Sequence, residues 1–343
     1  MNLLKICDIK MREKIKYIIG GILLVLVAGF FICWIAEKKD LSRDYRALFY
    51  KHYRILTPEV PAQADFAGEK APLNIVYVRE SFEREIFANT FMQSATIMMF
   101  KRANRWLPVI EPILKKNNIP DDFKFLAIAE SNLTNAVSPS NAEGFWQFIK
   151  PTGQKYGLEI TEEVDERYNV EKATEAACRY FQESYSKFNS WTLVAASYNR
   201  GIDGLARAVE NQKVTNFYDL YLVEETARYI FRIIAIKEVY NHPVKYGFFL
   251  HEQDFYPVVP TYSITVDTAI NDLPDFAFKQ KVNYRILREF NPWIRRYNLP
   301  NKSGKRYTFI LPVQGALDYE SLRKRMPAGE KFFHDSLKIN QVH

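Results

Sequence analysis

The chain has 343 residues, of which 48% are hydrophobic and 25% are charged, so it is long and apolar enough to bury a substantial core. Three cysteines exclude a disulfide-built scaffold, and five histidines leave little material for a metal site, so neither a metal nor another cofactor is predicted. The net charge is +7 and no run of Lys and Arg alternates with aromatic residues, so no nucleic-acid partner is predicted.

The first element along the chain is an apolar segment over residues 18–36, nineteen residues without a charged or strongly polar side chain. As a helix it would be about 28 Å long, close to the thickness of the hydrocarbon core of a bilayer. Residues 1–17 before it are basic, which favours a cytoplasmic N-terminus. A cleaved signal peptide is the alternative, but Trp34 is too large for the third position before a cleavage site that follows Ala36. We therefore predict an uncleaved, single-pass anchor in the inner membrane, with all later residues on the periplasmic side.

Residues 37–80 mix charges with prolines, which predicts a stalk or linker that ends in a short extended piece at Ile75–Val78. From Ser81, a candidate N-cap, the apolar spacing becomes helical and predicts a mainly α domain over residues 81–245. Asn169 and Ser190 are candidate N-caps of later helices. The helices are predicted at residues 81–102, 104–116, 120–130, 170–188, 192–198 and 224–240.

The pattern changes again after Pro257, and residues 255–343 predict a second, small α+β domain. Alternating side chains predict strands at 262–266 and 307–311, and two short apolar segments between them predict helices at 273–279 and 284–290. The predicted order is therefore strand, helix, helix, strand.

Glu130 is the residue that most directly indicates chemistry. It follows the apolar run Phe125–Ala129, where a carboxylate is costly to bury, and both desolvation and the nearby C-terminal end of the helix dipole raise its pKa. A carboxyl that stays protonated near neutral pH is what a general acid for glycosidic cleavage requires. The alternative is a helix-end glutamate that turns to solvent, and the apolar periodicity by itself leaves both interpretations open.

Four motifs occur in order between residues 85 and 240. They are Ala129-Glu130-Ser131-Asn132-Leu133, then Gly144-Phe145-Trp146-Gln147-Phe148 with Pro151-Thr152-Gly153, then Ala195-Ala196-Ser197-Tyr198-Asn199-Arg200-Gly201, and last Glu225-Thr226 with Tyr229 and Ile230. Together they resemble the lytic transglycosylases of the goose-type lysozyme (SLT) fold, and the last is similar to the membrane-bound lytic murein transglycosylase D family. The resemblance implies a lysozyme-like helical catalytic domain that cleaves peptidoglycan glycan strands outside the cytoplasm.

The resemblance also implies roles for individual residues. Glu130 corresponds to the catalytic acid/base, and Tyr198 is expected to hydrogen-bond its carboxyl group. Substrate contacts are implied for Ser131, Gly144, Trp146, Gln147, Tyr198 and Asn199, although Trp146 is interpreted first as a packing residue. Ser197, Arg200 and the segment Ser140–Glu143 depart from the family pattern.

The C-terminal domain is similar to a degenerate LysM-like module, through Asp267-Thr268 and Asn291-Pro292. The glycine that usually precedes the aspartate is replaced by Val266. The similarity implies peptidoglycan binding, and a purely structural cap is the alternative.

Conventional glycosidases use two carboxyl groups, and Glu130 is predicted to act without a second one. Four other acids of the motif region stand in polar, turn-like stretches and are predicted to be solvated loop charges: Glu143, Asp165, Glu166 and Asp203. A transglycosylase that forms 1,6-anhydromuramyl ends is therefore expected. The alternatives are a muramidase that delivers water to the sugar and a non-catalytic scaffold that binds peptidoglycan.

Overall fold

The computed structural model of the protein describes residues 16, 18–34 and 55–324. It divides into two compact units, residues 1–57 and 58–343. In the first unit, residues 18–34 are helical and expose their large apolar side chains. No helix within the described ranges is both long and apolar enough to cross a membrane, so the spanning helix predicted over residues 18–36 is not found there. Residues 35–54 lie outside the described ranges, as do residues 1–15 of the predicted cytoplasmic segment.

The second unit is mainly helical, as predicted, and consists of a helical body followed by a small C-terminal module. The body contains a short hairpin, β1 (Asp65–Phe66) and β2 (Glu69–Lys70), and the helices α1 (Val76–Phe91), α2 (Gln93–Lys116), α3 (Phe123–Ser131), α4 (Lys150–Lys155), α5 (Val170–Phe188), α6 (Trp191–Arg200), α7 (Ile202–Gln212) and α8 (Glu224–Asn241). The module contains β3 (Thr261–Val266), α9 (Leu273–Lys279), α10 (Tyr284–Phe290), β4 (Tyr307–Pro312) and α11 (Tyr319–Lys324).

The predicted extended piece at Ile75–Val78 is wrong, because helix α1 already begins at Val76. Val78, Phe82 and Ile86 follow one another at four-residue spacing and are all fully buried. Packing of this face against the core overrides the strand propensity of the Val-Tyr-Val sequence. Ser81 therefore lies inside the helix and does not cap it.

The predicted helix boundary near residue 103 is also wrong. Helix α2 is continuous from Gln93 to Lys116, and the helical conformation is interrupted at Met92 instead. Ala103 is buried in the stripe that Phe100 and Leu107 continue on either side, so the apolar face of α2 has no interruption there.

Helix α8 lies at the centre of the body and packs against α1, α3 and α6. Its apolar face buries Tyr229, Ile230, Ile233 and Ile234 in one continuous core. The last turn of α3 is therefore held next to the first two turns of α8, and this arrangement positions the candidate site.

The C-terminal module has the predicted order of strand, helix, helix and strand, and the bounds of α9 and α10 are those predicted. Strands β3 and β4 pair antiparallel, with Ile264 opposite Phe309. Asn291 is fully buried and acts as an additional strand partner: its Oδ1 accepts from the amide of Ile310 at 2.8 Å, and its Nδ2 donates to the same residue's carbonyl at 2.7 Å. This explains why an asparagine stands in the Asn-Pro turn after α10.

The module packs against residues 159–168 of the helical body. Val164 and Ile294 form a β-bridge, and the amide of Asp165 donates to the carbonyl of Trp293 at 2.8 Å. Val164 and Tyr168 of the body are buried in the same hydrophobic cluster as the module's own side chains. The two parts therefore share a core.

Candidate active site

Glu130 lies in the last turn of α3, where an apolar helix meets a polar loop. Residues 125–128 before it are buried, whereas Glu130 itself is partly exposed. Asn132 and Leu133 adopt left-handed backbone conformations with φ of 50° and 54°, which turn the chain away immediately after the helix. This sharp end leaves the side chain of Glu130 at the edge of the core.

The carboxyl group of Glu130 accepts a hydrogen bond from the hydroxyl of Tyr229, which is buried on α8. We expected Tyr198 to make this contact. The hydroxyl of Tyr198 donates instead to the main-chain carbonyl of Trp146 at 2.7 Å, because its ring is packed between Phe148, Tyr180 and Phe181. Burial raises the pKa of Tyr229 well above its usual value, so this residue remains a hydrogen-bond donor at neutral pH.

Burial raises the pKa of Glu130 from 4.5 to about 7, which confirms the upward shift predicted from the sequence. The hydrogen bond from Tyr229 and the positive charge of Arg232 lower the pKa, and the negative charge of Glu225 raises it. Desolvation is the largest of these effects. Near neutral pH both forms of the carboxyl group are populated, so Glu130 can donate a proton and can also accept one.

A Tyr229→Phe substitution removes the donor that favours the ionised form of Glu130, so we expect the pKa of Glu130 to rise further. The protonated acid then persists to higher pH, and the alkaline limb of kcat/KM should move upward by roughly half to one pH unit. The pH profile of glycan cleavage measures this shift. Tyr198→Phe is the matched control, since its hydroxyl donates to Trp146 and its loss should leave the limb in place. An unchanged limb in Tyr229→Phe would contradict the assigned contact.

Three of the predicted site residues fix the loop of residues 144–148 next to the end of α3. The hydroxyl of Ser131 is buried and donates to the carbonyl of Phe145 at 2.8 Å, which joins the end of α3 to this loop. Gly144 has a φ of +82°, and a Cβ there would lie 2.0 Å from the carbonyl oxygen of Arg167. Trp146 is fully buried and its Nε1 donates to Thr174 at 2.9 Å. It is therefore a packing residue, which was the first interpretation of its role.

Gln147 and Asn199 are partly exposed and are fixed by hydrogen bonds. The Nε2 of Gln147 donates to the carbonyls of Ala136 and Gly144 at 2.9 and 2.8 Å. The Nδ2 of Asn199 donates to Glu225 at 2.9 Å, and its Oδ1 accepts from Thr226 at 2.8 Å. The third and fourth motifs are thus joined directly.

The prediction that the four loop acids are solvated is wrong for Asp165 and Glu166, which are 6% and 3% exposed. The C-terminal module covers this loop, and nearby cations compensate the buried charges: Asp165 pairs with Arg167 at 2.6 Å and Glu166 with Lys172 at 2.6 Å. The prediction is wrong for Glu143 too, because its side chain is only 18% exposed and pairs with Arg167 at 3.0 Å. The fourth acid, Asp203, has an exposed side chain, as predicted.

Sequence reasoning did not find Arg167, which supports the loop of the site. Its Nη1 donates to the carbonyls of Asn141 and Phe148, both at 3.1 Å, while the same guanidinium pairs with Asp165 and Glu143. No local pattern distinguishes this arginine from a solvated loop residue, because its partners lie up to 26 residues away. Within the described ranges, no group of His, Cys, Asp or Glu side chains is arranged to hold a metal ion.

Comparison with known proteins agrees with this geometry. The family described as transglycosylase SLT domain matches residues 108–220, and the soluble lytic transglycosylase C-terminal LysM-like domain matches residues 262–315. The membrane-bound lytic murein transglycosylases D of Escherichia coli strain K12 and of Escherichia coli O6:H1 are each 27% identical over 274 residues. The aligned region is 77% of this chain and 58% of each relative, so the chain spans little more than half of their length. Residues 108–220, which include Glu130, are therefore similar to transglycosylase SLT domains (called the SLT domain below), and residues 262–315 are similar to the LysM-like domain of soluble lytic transglycosylases.

Proposed function

We propose that the protein is a peptidoglycan lytic transglycosylase that cleaves the MurNAc–GlcNAc β-1,4 bond and leaves 1,6-anhydromuramyl ends. The observation that carries the proposal is the carboxyl group of Glu130, which has a pKa of about 7 and is held by Tyr229 at the edge of the core. A scaffold that only binds glycan gains nothing from such a carboxyl group, because burying it costs stability.

In the first step, protonated Glu130 donates its proton to the glycosidic oxygen. The bond between that oxygen and C1 of the muramyl sugar breaks, its electron pair stays on the leaving oxygen, and C1 acquires oxocarbenium character. The N-acetyl group of the same sugar can stabilise the positive charge, as in the substrate-assisted glycosidases. Glu130 is left ionised.

In the second step, ionised Glu130 takes the proton of the sugar's own 6-hydroxyl group. The oxygen of that hydroxyl attacks C1, which closes the 1,6-anhydro ring and returns Glu130 to its protonated form. Because the nucleophile is tethered to the reacting centre, the attack has a high effective concentration and needs no second carboxylate to activate it. A pKa of about 7 suits a group that must serve as acid and then as base.

Three of the acids discussed above are engaged in ion pairs: Asp165 and Glu143 with Arg167, and Glu166 with Lys172. Glu225 differs, because it is exposed and its charge acts on Glu130. An exposed carboxylate next to the acid could activate water, and this is the observation that favours a muramidase as the second candidate function.

Digestion of cell-wall sacculi in ¹⁸O-labelled water distinguishes the two functions. We expect new muramyl ends without label, because the attacking oxygen comes from the sugar. Mass analysis of the released fragments measures the label directly. Incorporation of ¹⁸O at the new muramyl terminus would show hydrolysis and would favour the muramidase.

We further propose that the protein associates with the inner membrane through residues 18–36, with the SLT domain on the periplasmic side. The apolar composition of this segment, the exposure of its described large side chains and the membrane-bound relatives support the proposal. The mature protein should then keep Met1–Ala36 and sediment with the inner membrane. Amino-terminal sequencing that begins near Glu37, or recovery in the soluble fraction, would contradict this.

A further inference from the structure

A pocket of about 440 Å³ lies between the C-terminal module and the loop that follows Glu130. The helical body contributes Asn135 and Tyr168 to its lining, and the module contributes six residues, among them Tyr284, Arg285, Arg288 and Arg295. We call it the arginine pocket. None of these residues belongs to the site around Glu130 described above.

The lining carries an excess of positive charge. Glu289 is the one acid in the lining. Its carboxylate forms an ion pair at 3.8 Å with Arg285, whose side chain is largely exposed. Arg288 and Arg295 form no ion pair with a carboxylate within the described part of the chain. Two guanidinium groups are therefore left without a counter-charge in one pocket, which favours an anionic ligand.

The two unpaired guanidinium groups are also held in place. Arg288 donates from Nη1 to the hydroxyl of Tyr284 at 2.8 Å, while its Nε is buried and has no hydrogen-bond partner. Arg295 stacks over the ring of Tyr168, with its central carbon 4.3 Å from the ring centroid. Planar guanidinium groups fixed in this way match the geometry of carboxylates and lose little conformational entropy when they bind one.

The pocket is within reach of a substrate bound at Glu130. Asn135 follows Glu130 by five residues, so their Cα atoms are at most about 18 Å apart even if the chain between them were fully extended. A peptide of about four to five residues spans a similar distance when extended. The peptide stem of a peptidoglycan sugar near Glu130 can therefore reach the edge of the pocket that Asn135 lines, and free carboxylates are its characteristic anionic groups.

We propose that the arginine pocket binds the carboxylate groups of the peptide stem on the glycan strand that the SLT domain cleaves, through Arg288 and Arg295. The proposal rests on the proposed function, since it takes peptidoglycan as the substrate. It adds that the module and the helical body jointly recognise the stem and not only the sugars.

The test measures binding to the full chain carrying Glu130→Gln in detergent, so that no ligand is cleaved. Two probes are compared by calorimetry: a glycan fragment with tetrapeptide stems, and the same fragment after its stems have been removed. Adding Arg288→Gln and Arg295→Gln together should weaken binding of the stemmed fragment by about tenfold or more and leave binding of the bare fragment unchanged. The matched control, Lys279→Gln with Lys302→Gln, removes the same charge from exposed positions outside the pocket and should change neither affinity.

Arg295→Gln alone serves as a second variant, because Arg295 is exposed and its replacement leaves the core intact. An equal loss of affinity for both probes, or no loss for the stemmed one, would overturn the proposal. If the chain cleaves bare glycan and its binding does not depend on the stem, the proposed role of the arginine pocket is wrong and the proposed function is unaffected. If the chain binds a free tetrapeptide through these arginines but cleaves no glycan, the proposed function is wrong and the anion-binding role of the pocket is retained.

Discussion

Replacing Glu130 with glutamine is expected to reduce glycan cleavage by more than the ~10²–10⁴-fold that loss of an acid/base group typically causes, because one carboxyl serves both proton transfers. Glutamine keeps the size of the side chain and can still accept the hydrogen bond of Tyr229. The release of soluble fragments from sacculi measures the loss. Glu210→Gln is the matched control, since Glu210 is an exposed acid of α7 and should be dispensable. Near-normal activity in a folded Glu130→Gln protein would refute the assignment.

The same substitution should raise stability at alkaline pH. The pKa of Glu130 is raised on folding from 4.5 to about 7, so the stability that its protonated form contributes is present below pH 4.5 and is lost as the pH rises through 7. Glutamine does not ionise. Above pH 7 the variant should therefore be more stable than the wild type by on the order of 3 kcal/mol, and the difference should shrink toward pH 4.5. Thermal unfolding at pH 5 and pH 8 measures it, and a difference that does not change with pH would contradict the burial of the carboxyl group.

Gly144→Ala is expected to be the most damaging substitution in the loop of residues 144–148. The new Cβ would overlap the backbone of Arg167, at 2.0 Å from its oxygen and 2.8 Å from its carbonyl carbon, and neither atom can move without displacing the ion pairs of Arg167. We expect a loss of about 3–5 kcal/mol in the free energy of unfolding, with lower activity because Gln147 shifts with the loop. Chemical denaturation measures the loss.

Gly247→Ala is the control that separates the cost of this steric overlap from the cost of backbone strain. Gly247 has nearly the same positive φ, +83° against +82°, but a Cβ there would meet nothing within 4 Å. Only the cost of a left-handed alanine should appear, about 1 kcal/mol. Equal losses in the two variants would mean that the close approach of Gly144 to Arg167 is not what requires glycine.

Local signals were sufficient where a helix starts at a side-chain cap. The predicted helix over residues 170–188 has the bounds of α5, and Asn169 caps it by accepting from the amide of Lys172 at 3.1 Å. Ser190 likewise caps α6. At Ile75–Val78 the local preference was for a strand, and only burial of one face against the rest of the body decides for a helix.

In the candidate site, too, some features could be predicted from local sequence and others could not. Glu130 could be identified from its own apolar run, because desolvation follows from the neighbouring residues. Its hydrogen bond to Tyr229 could not, since the two residues are 99 positions apart and meet only when α8 packs on α3. Asp165 and Glu166 have their cations close in sequence, yet their burial depends on the C-terminal module that covers them.

The core shared by Val164, Tyr168 and the C-terminal module has a consequence for a polymeric substrate. Parts that are joined by a common core do not swing on a linker, so the separation between Glu130 and the module's surface is set by packing and is the same in every molecule. A glycan strand is a periodic chain. A strand held against both surfaces would therefore have a fixed number of repeats between the module and Glu130.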